Sequence, residues 1–324
     1  MITRRKVVLA LGACALAPLA SFAQQKIYRV GFLGASTAES FAPRVAELSK
    51  ALQELGYVEG KNVIYEYRWS GNNNDRLPEL AVELVRAKCD VIVTSGTPSI
   101  LALKRATSTI PIVMASSGDA VKYGLVASLA KPGGNVTGLS FFAPEVYAKR
   151  VELIKETLPG VKVLACLVNP DNPALKASVP ALEKTAQRLK MASHVYSTRN
   201  AKEMETAFAA MAKQRVDAVL VTNDNLISAH FDLIAALAIK QRLPSVGPSE
   251  FAPAGGLIGF GPLNLGLFRR SAAYVDKILK GAKPADLPVE QPMTFEVIVN
   301  LKTAKALGIK LPNSVLVQAT TVIE

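Results

Sequence analysis

The sequence predicts an α/β protein built from two similar, doubly wound parallel-sheet halves, and two observations lead to that prediction. Short β-branched runs alternate with amphipathic helical runs from residue 27 onward, which is typical of α/β folds. A pattern in the first half of the chain then recurs in the second half. Several strand-like runs are apolar throughout, as expected of parallel strands covered on both faces.

The length and composition agree with such a protein. A chain of 324 residues allows about two domains, each large enough to bury its own core. Hydrophobic residues make up 50% and charged residues 20%, which excludes disorder as the main state. Three cysteines are too few for a disulfide scaffold, and two histidines exclude a His-rich metal site.

The N-terminus has the features of an export signal. Residues 4–6 are basic, residues 7–20 are uncharged and mostly apolar, and Ser21-Phe22-Ala23 offers small residues for cleavage before Gln24. The alternative is a membrane anchor, but Pro18 and the shortness of the apolar run argue against one. We therefore expect residues 1–23 to be removed and the mature protein to be periplasmic.

The sequence leaves alternatives for the type of export signal and for the state of the cysteines. Arg4-Arg5 loosely fits a twin-arginine signal, and Cys14 could end a lipoprotein cleavage box, although the apolar run continues past it. In the mature chain, Cys89 and Cys166 lie inside or beside apolar runs, where buried free thiols are expected. A disulfide between them is the alternative in an oxidising compartment.

The charge balance does not indicate nucleic-acid binding. The 38 basic residues exceed the 26 acidic ones and give a formal charge of +12. Outside the export signal they are scattered among acids, as in residues 150–156 and 275–281, and no basic run is interleaved with aromatic residues. We expect a solvated basic surface and no nucleic-acid partner.

The predicted elements follow from local patterns along the chain. An apolar stripe at residues 41, 45, 48, 52 and 55 predicts a helix that ends at Gly56. Asp75 is a candidate cap for a second helix, residues 204, 208 and 211 mark a third, and a further helix is expected over Ala120–Ala130. The predicted strands are Ile27–Leu33, Asn62–Tyr67, Asp90–Ser95, Ile110–Ala115, Asn135–Leu139, Lys162–Val168, Ser193–Ser197, Asp217–Thr222, Pro244–Gly247, Leu257–Phe260 and Phe295–Val299.

An internal repeat relates the two halves. In both halves, the basic end of a helix is followed by an aspartate and then by an apolar strand that ends at a threonine. The two aspartates, Asp90 and Asp217, lie 127 residues apart. The next strands match as well, with Pro111 and Pro244 separated by 133 residues. The alternative is that all βα units look alike. Two equivalent halves would place their strand ends on either side of a cleft, where ligands of parallel sheets bind.

The residues that follow the strands are mostly small, hydroxylic or amide. Each such loop precedes a candidate helix start, where backbone N–H groups and the helix dipole favour an anion. Capping explains any single one of these residues, but a polar cleft explains the set. The candidate ligand-binding residues are Ser36, Ser95, Thr97, Ser116, Ser117, Asp119, Asn169, Asn223, Asp224, Glu250 and Phe251.

Catalytic and cofactor motifs are missing from the sequence. His194 and His230 have no local partner for a metal, no nucleophile elbow occurs, and the glycine-rich stretches do not match phosphate-binding motifs. We expect no enzyme activity, no metal and no cofactor. Asp119, Asp224 and Glu250 are candidate acid/base groups, but pairing with a ligand amine is their simpler role. For Asp119, capping of the helix expected over Ala120–Ala130 is an equal alternative.

Four segments of the sequence resemble those of a known family, namely residues 55–69, 76–85, 107–140 and 274–312. Together they resemble the ABC transporter substrate-binding family related to tryptophan- and tyrosine-uptake binding proteins, over essentially the whole mature chain. The resemblance implies a type I periplasmic-binding-protein fold, in which two lobes joined by a hinge close on a small molecule. It implies that lobe 1 contains residues 24–143 plus about 264–283, and lobe 2 residues 144–263 plus about 284–324.

The resemblance also implies where the ligand binds. The family's ligand loops correspond here to residues 95–98 and 116–119 in lobe 1, and to residues 169–170, 223–224 and 249–251 in lobe 2. This chain differs from motifs that are common in the family at three places. It has Gly118-Asp119-Ala120-Val121 for Gly-Asp-Pro-Val, Asp224-Asn225 for Asp-Pro, and Gly259-Phe260-Gly261 for Ser-Tyr-Gly, so the resemblance does not fix the ligand's polar contacts.

The function that the resemblance implies is that of an exported, monomeric solute-binding component of an ABC importer. Its partners would be a small polar ligand, an amino acid or related amphipathic acid, and a membrane permease. The alternative is a ligand sensor that presents its closed form to a membrane receptor.

Overall fold

The computed structural model describes residues 26–141 and 143–324, so the predicted export signal and its alternative at Cys14 lie outside the described residues. Two sheets, each covered by helices on both faces, form two lobes. This confirms the predicted α/β class with two doubly wound lobes. None of the helices in the described part of the chain has the length and apolar character needed to cross a membrane.

The strands are β1 (Tyr28–Gly34), β2 (Val63–Trp69), β3 (Val91–Ser95), β4 (Ile112–Ser116), β5 (Val136–Gly138), β6 (Val163–Val168), β7 (Ala192–Ser197), β8 (Ala218–Val221), β9 (Ser245–Gly247), β10 (Ile258–Gly261), β11 (Glu296–Asn300) and β12 (Thr321–Ile323). The helices are α1 (Ala38–Glu54), α2 (Leu77–Arg86), α3 (Thr97–Ala106), α4 (Ala143–Thr157), α5 (Pro173–Arg188), α6 (Ala201–Lys213), α7 (Asn225–Ser228), α8 (Phe231–Lys240), α9 (Asn264–Leu279), α10 (Leu301–Leu307) and α11 (Asn313–Gln318).

The first lobe is built on a parallel sheet of order β2-β1-β3-β4-β5. Strands β3 and β4 are almost wholly buried because helices cover both faces. Helix α1 begins after Thr37, whose side chain accepts a hydrogen bond from the Ser40 amide, and its buried stripe includes Phe41, Leu48 and Leu52. Helix α9 comes from late in the chain and packs against α1 and this sheet.

The second lobe is built on a sheet of order β12-β11-β10-β9-β8-β6-β7. Its strands are parallel except for the pair β10 and β11, which runs antiparallel. Cys166 lies buried in β6 and Cys89 lies buried just before β3, both as free thiols. Burial raises the pKa of Cys89 to about 11 and that of Cys166 still further, so both thiols stay protonated at neutral pH.

The chain passes between the lobes three times, after β5, after β10 and before β11. Residues 287–290 still contact the first lobe, since Leu287 and Val289 pack against its core and Leu139 pairs with Glu290. The last passage therefore lies between Glu290 and Glu296 rather than at about residue 284. The first passage follows Leu139, because the side chain of Phe141 already belongs to the second core.

The internal repeat extends to individual hydrogen bonds. The carboxylate of Asp90 accepts a bond of 2.8 Å from the Arg29 amide at the start of β1, and that of Asp217 accepts one of 2.9 Å from the Val163 amide at the start of β6. At the other end of the strands, the hydroxyl of Thr94 donates to the Leu33 carbonyl at 2.7 Å, and the hydroxyl of Thr222 donates to the Leu167 carbonyl at 2.8 Å. The two lobes are therefore the equivalent halves that the sequence predicts.

Two local predictions are wrong. The helix expected over Ala120–Ala130 is a series of turns, because Gly124 adopts a positive φ of 63°, and the amides of Leu125 and Val126 both donate to the Ala120 carbonyl. Asp75 does not cap α2. It lies in a short 3-10 turn before that helix, and its amide donates to the side chain of Asn73.

Candidate ligand-binding cleft

A cleft lies between the two lobes, where the carboxyl ends of both sheets face each other. It encloses about 760 Å³, counted with the space open to solvent. Its first wall is formed by Ala35, Arg44, Asn74, Ser95, Gly96, Thr97, Pro98, Ser116, Ser117, Gly118, Asn264 and Phe268, and its second by Phe141, Tyr147, Asn172, Ala174, Leu175, Ser178, Asn223, Asp224, Asn225, Leu226 and Ser228. Most of the lining is hydroxyl, amide or small, with three aromatic rings among it.

Six of the predicted site residues line this cleft, namely Ser95, Thr97, Ser116, Ser117, Asn223 and Asp224. Two of them present polar atoms that have no partner among the described residues, the hydroxyl of Thr97 and the side-chain oxygen of Asn223. Both atoms are buried, and an unpaired buried polar group costs stability. A ligand with matching polar groups would remove that cost.

Asp224 is the carboxylate of the second wall. Its side chain is buried and accepts hydrogen bonds from the side-chain amides of Asn169 at 3.1 Å and Asn172 at 2.9 Å. It also accepts from the backbone amides of Leu226 and Ile227, and so caps α7. Burial raises the pKa of Asp224, and these hydrogen bonds oppose that shift. No basic side chain pairs with it among the described residues.

Two predicted residues, Asn169 and Ser36, are buried but do not line the cleft. The side chain of Asn169 donates to Asp224, as described above. Ser36 is buried at the end of β1, where its hydroxyl bonds to the side chains of Ser40 and Asn72. Asn169 therefore acts on the cleft through Asp224, whereas the partners of Ser36 do not line the cleft.

Three predicted residues lie outside the lining. The carboxylate of Asp119 accepts a bond of 3.0 Å from the Lys122 amide in the turn that follows it. That of Glu250 accepts from the Asn264 amide at 2.9 Å, at the start of α9, and from the Ser249 hydroxyl at 3.1 Å. Phe251 is fully buried in the second core, 5.4 Å from the ring of Phe231. Asp119 and Phe251 therefore have structural roles within their own lobes, whereas Glu250 of the second lobe holds the start of α9, which packs on the first.

Arg44 is a cleft residue that is not predicted from the sequence. It lies in α1, three residues after Phe41 and four before Leu48, so it shares a face with the buried stripe. A charged residue on an apolar helix face was the signal that could have identified it. Its guanidinium lies 5.4 Å from the centre of the Phe41 ring.

The two walls touch directly, so the structure is in a closed conformation. The side-chain amide of Asn225 in the second lobe donates to the Ser95 carbonyl in the first at 3.0 Å. Gly96 makes room for this contact, since a Cβ there would lie 2.7 Å from the same nitrogen of Asn225. The hydroxyl of Tyr123 donates to the Ala174 carbonyl, also across the cleft, at 2.9 Å.

The chain matches a family model. Residues 37–323 match the model described as ABC transporter substrate binding protein. The chain is also 29% identical over 264 residues to a protein of Clostridioides difficile (strain R20291) named Tyrosine-binding protein, a match that covers 81% of this chain and 75% of the relative.

Solved structures share the fold. An ABC domain from Streptococcus pneumonia in complex with L-Trp is 29% identical, with a TM-score of 0.84, and the match covers 92% of this chain and all of that one. A ligand-free, open structure of a substrate binding protein from Clostridium difficile is 26% identical over 92% of this chain and 99% of that one, with a TM-score of 0.65. At similar identity, the higher score belongs to the ligand complex.

Proposed function

The chain belongs to the ABC transporter substrate binding protein family, and from that premise we propose that it is the exported, monomeric binding component of an importer. It captures an amino acid with an aromatic side chain, or a related amphipathic acid, between its lobes. It then delivers this ligand, chemically unchanged, to a membrane permease.

The observation that carries the proposal is the polar cleft with walls from both lobes. A ligand held by both walls stabilises the closed conformation, in which Asn225 and Tyr123 bond across the cleft. The unpaired Thr97 hydroxyl and Asn223 side-chain oxygen, one on each wall, are suited to a ligand that touches both. A permease can then distinguish the loaded protein by its closed shape.

Three features support an aromatic amino acid as the ligand. The relatives described above carry tyrosine in their name or L-Trp in their structure. The cleft contains the rings of Phe141, Tyr147 and Phe268, which suit an apolar ring. Its charged side chains, Arg44 and Asp224, are of opposite sign and belong to opposite lobes, which matches a zwitterion.

The test is a thermal-shift and calorimetric screen of the purified protein against the twenty L-amino acids. A ligand at 100 times its dissociation constant should stabilise the folded state by about 2.7 kcal/mol. We expect L-tryptophan or L-tyrosine to raise the melting temperature, to be recovered unchanged, and to bind more weakly to Asn223→Ala. The matched control is Asn313→Ala, at an exposed asparagine in α11 that does not line the cleft.

Failure of every amino acid to raise the melting temperature would contradict the proposed ligand class. Delivery is tested separately, in cells. Deleting the gene should lower uptake of the ligand that binds in vitro, and unchanged uptake would contradict the role in import.

A further inference from the structure

We infer that Arg44 binds the carboxylate of the ligand, so that the cleft selects compounds with a free carboxylate over the matching amides and amines. This inference rests on the proposed function and specifies which group of the ligand each lobe holds. It makes Arg44 a specificity-determining residue.

The position of Arg44 directs its charge into the cleft. Its neighbours on the same helix face, Phe41 and Leu48, are buried against the first sheet, so the base of the Arg44 side chain is anchored next to the core. The guanidinium lies near the Phe41 ring, and Arg44 is half-buried and lines the cleft. Arginine therefore reaches the ligand space from a rigid helix.

Unlike five other arginines, Arg44 has no acidic partner among the described residues. Arg29, Arg68, Arg199, Arg269 and Arg270 each lie within 4.0 Å of a carboxylate oxygen. No ion pair or hydrogen bond engages the Arg44 guanidinium within residues 26–141 and 143–324. Its N–H donors, five in any arginine, are thus available in a geometry that matches a carboxylate.

The surroundings of Arg44 do not neutralise it. The carboxylate of Glu250 attracts it from a distance, but that carboxylate is already bonded to the Asn264 amide and the Ser249 hydroxyl. Burial lowers the pKa of Arg44, because a partly desolvated positive charge is less favourable than a hydrated one. A desolvated and unpaired cation in a closing cleft is stabilised by an anion, and the ligand is the group that can bring one.

The opposite wall explains why the anion is the carboxylate of an amino acid. Asp224 faces the cleft from the second lobe, and no ion pair joins it to Arg44. A zwitterion placed between them would set its carboxylate against Arg44, near the unpaired Thr97 hydroxyl, and its ammonium against Asp224. The two charges of the protein would then both be paired within the closed cleft.

The test compares matched ligands by titration calorimetry. L-tryptophan and L-tyrosine are measured beside their carboxamides, beside tryptamine and tyramine, and beside indole-3-propionate and 3-(4-hydroxyphenyl)propionate, which lack the ammonium. We expect wild-type protein to prefer each amino acid over its carboxamide by a factor on the order of 30 or more. In Arg44→Gln this preference should fall to within a few-fold, and Arg44→Lys should lie between.

The matched control is Lys50→Gln, which removes one positive charge from the exposed face of the same helix. It should behave as wild type, and melting curves confirm that each variant is folded. Equal binding of acid and carboxamide by wild type would overturn the inference and leave the proposed function standing. So would an Arg44→Gln variant that loses both ligands alike, because Arg44 would then shape the cleft rather than pair with the carboxylate.

The remaining outcomes separate the two proposals. Binding of the propionates without binding of any amino acid would contradict the amino-acid ligand and support the role of Arg44. Binding of none of the probes would overturn both.

Discussion

At the scale of single residues, Asp224 sets the charge of the second wall. Its carboxylate is held by two asparagine side chains and two backbone amides, so its position is fixed before a ligand arrives. Because all of these donors are uncharged, the negative charge remains available to a ligand ammonium. The other ionisable group near it, the Tyr147 phenol, has its pKa raised to about 12 by burial and stays neutral at physiological pH.

We predict that ligand affinity falls on acidification through Asp224. Its folded pKa is raised above 3.8 by burial, so the carboxyl takes up a proton at a higher pH than an exposed aspartate does. The charged form costs stability above that pKa, and protonation removes the cost as the pH falls. Acidification should therefore weaken binding of L-tryptophan or L-tyrosine without loss of stability from this group, as calorimetry and melting curves from pH 7 downward can show.

The variant Asp224→Asn provides the control. Asparagine caps a helix as well as aspartate does, but it cannot pair with an ammonium, so binding should weaken by about 2–5 kcal/mol and lose this pH dependence. Asp119→Asn is the matched variant in the other lobe and should bind as wild type, because its carboxylate bonds to the Lys122 amide outside the cleft lining. Weaker binding in Asp119→Asn, with Asp224→Asn unaffected, would assign the ammonium to Asp119 instead.

The cleft residues that sequence could identify are those at strand ends. Ser95 and Ser116 end β3 and β4, and Asn223 and Asp224 follow β8, so the rule that ligands bind at the carboxyl ends of parallel strands found them. Arg44 lies instead in the second turn of a helix. Its contact with the cleft depends on how that helix is rotated and placed against the sheet, which local patterns do not determine.

At the scale of elements, strands were predicted to within two residues because their apolar runs are bounded by turns and prolines. The β12 strand was not predicted, since its three residues are too few to show a period. The turns at 120–130 were mistaken for a helix because the apolar residues there are spaced as in one. They pack into the first core, and the positive φ of Gly124 breaks the helical path between them.

The turns at residues 120–130 also contain Tyr123, which contacts the other lobe, and we predict how much this contact contributes to ligand affinity. The Tyr123 hydroxyl donates to the Ala174 carbonyl at the start of α5, in the other lobe. Because this bond exists only when the lobes meet, Tyr123→Phe should weaken ligand binding by about 0.5–1.5 kcal/mol, the usual value of a neutral hydrogen bond. The melting temperature of the ligand-free protein should stay near that of wild type.

The chain offers a matched control in Tyr274→Phe. The Tyr274 hydroxyl also donates to a carbonyl, that of Pro288 at 2.7 Å, but both groups belong to the first lobe. Loss of this bond should lower stability and leave ligand affinity unchanged. If the two variants have the same effects on affinity, the Tyr123 contact does not contribute to closure.

At the scale of the whole molecule, the lobes are two separate cores joined by three short passages. The largest clusters of buried side chains lie within one lobe or the other, and hydrogen bonds of Tyr123 and Asn225 join the lobes across the cleft. Near the hinge, the fully buried Arg150 of α4 donates two hydrogen bonds, of 2.9 and 2.7 Å, to the Phe260 carbonyl in β10. Such an arrangement favours rotation of rigid lobes about the passages over deformation within either lobe.

We therefore predict that ligand binding makes the protein more compact. Without ligand, the few cross-cleft bonds compete with hydration of Asp224, Arg44 and the polar walls, so the open conformation should be populated. Small-angle scattering of the ligand-free protein should then give a larger radius of gyration than the closed structure, and saturating ligand should bring the scattering curve to that of the closed form. If calorimetry shows that the ligand binds but the scattering curve does not change, the result would contradict closure about the hinge. A ligand-free curve that already matches the closed structure would show that the contacts between the lobes suffice to hold them together without ligand.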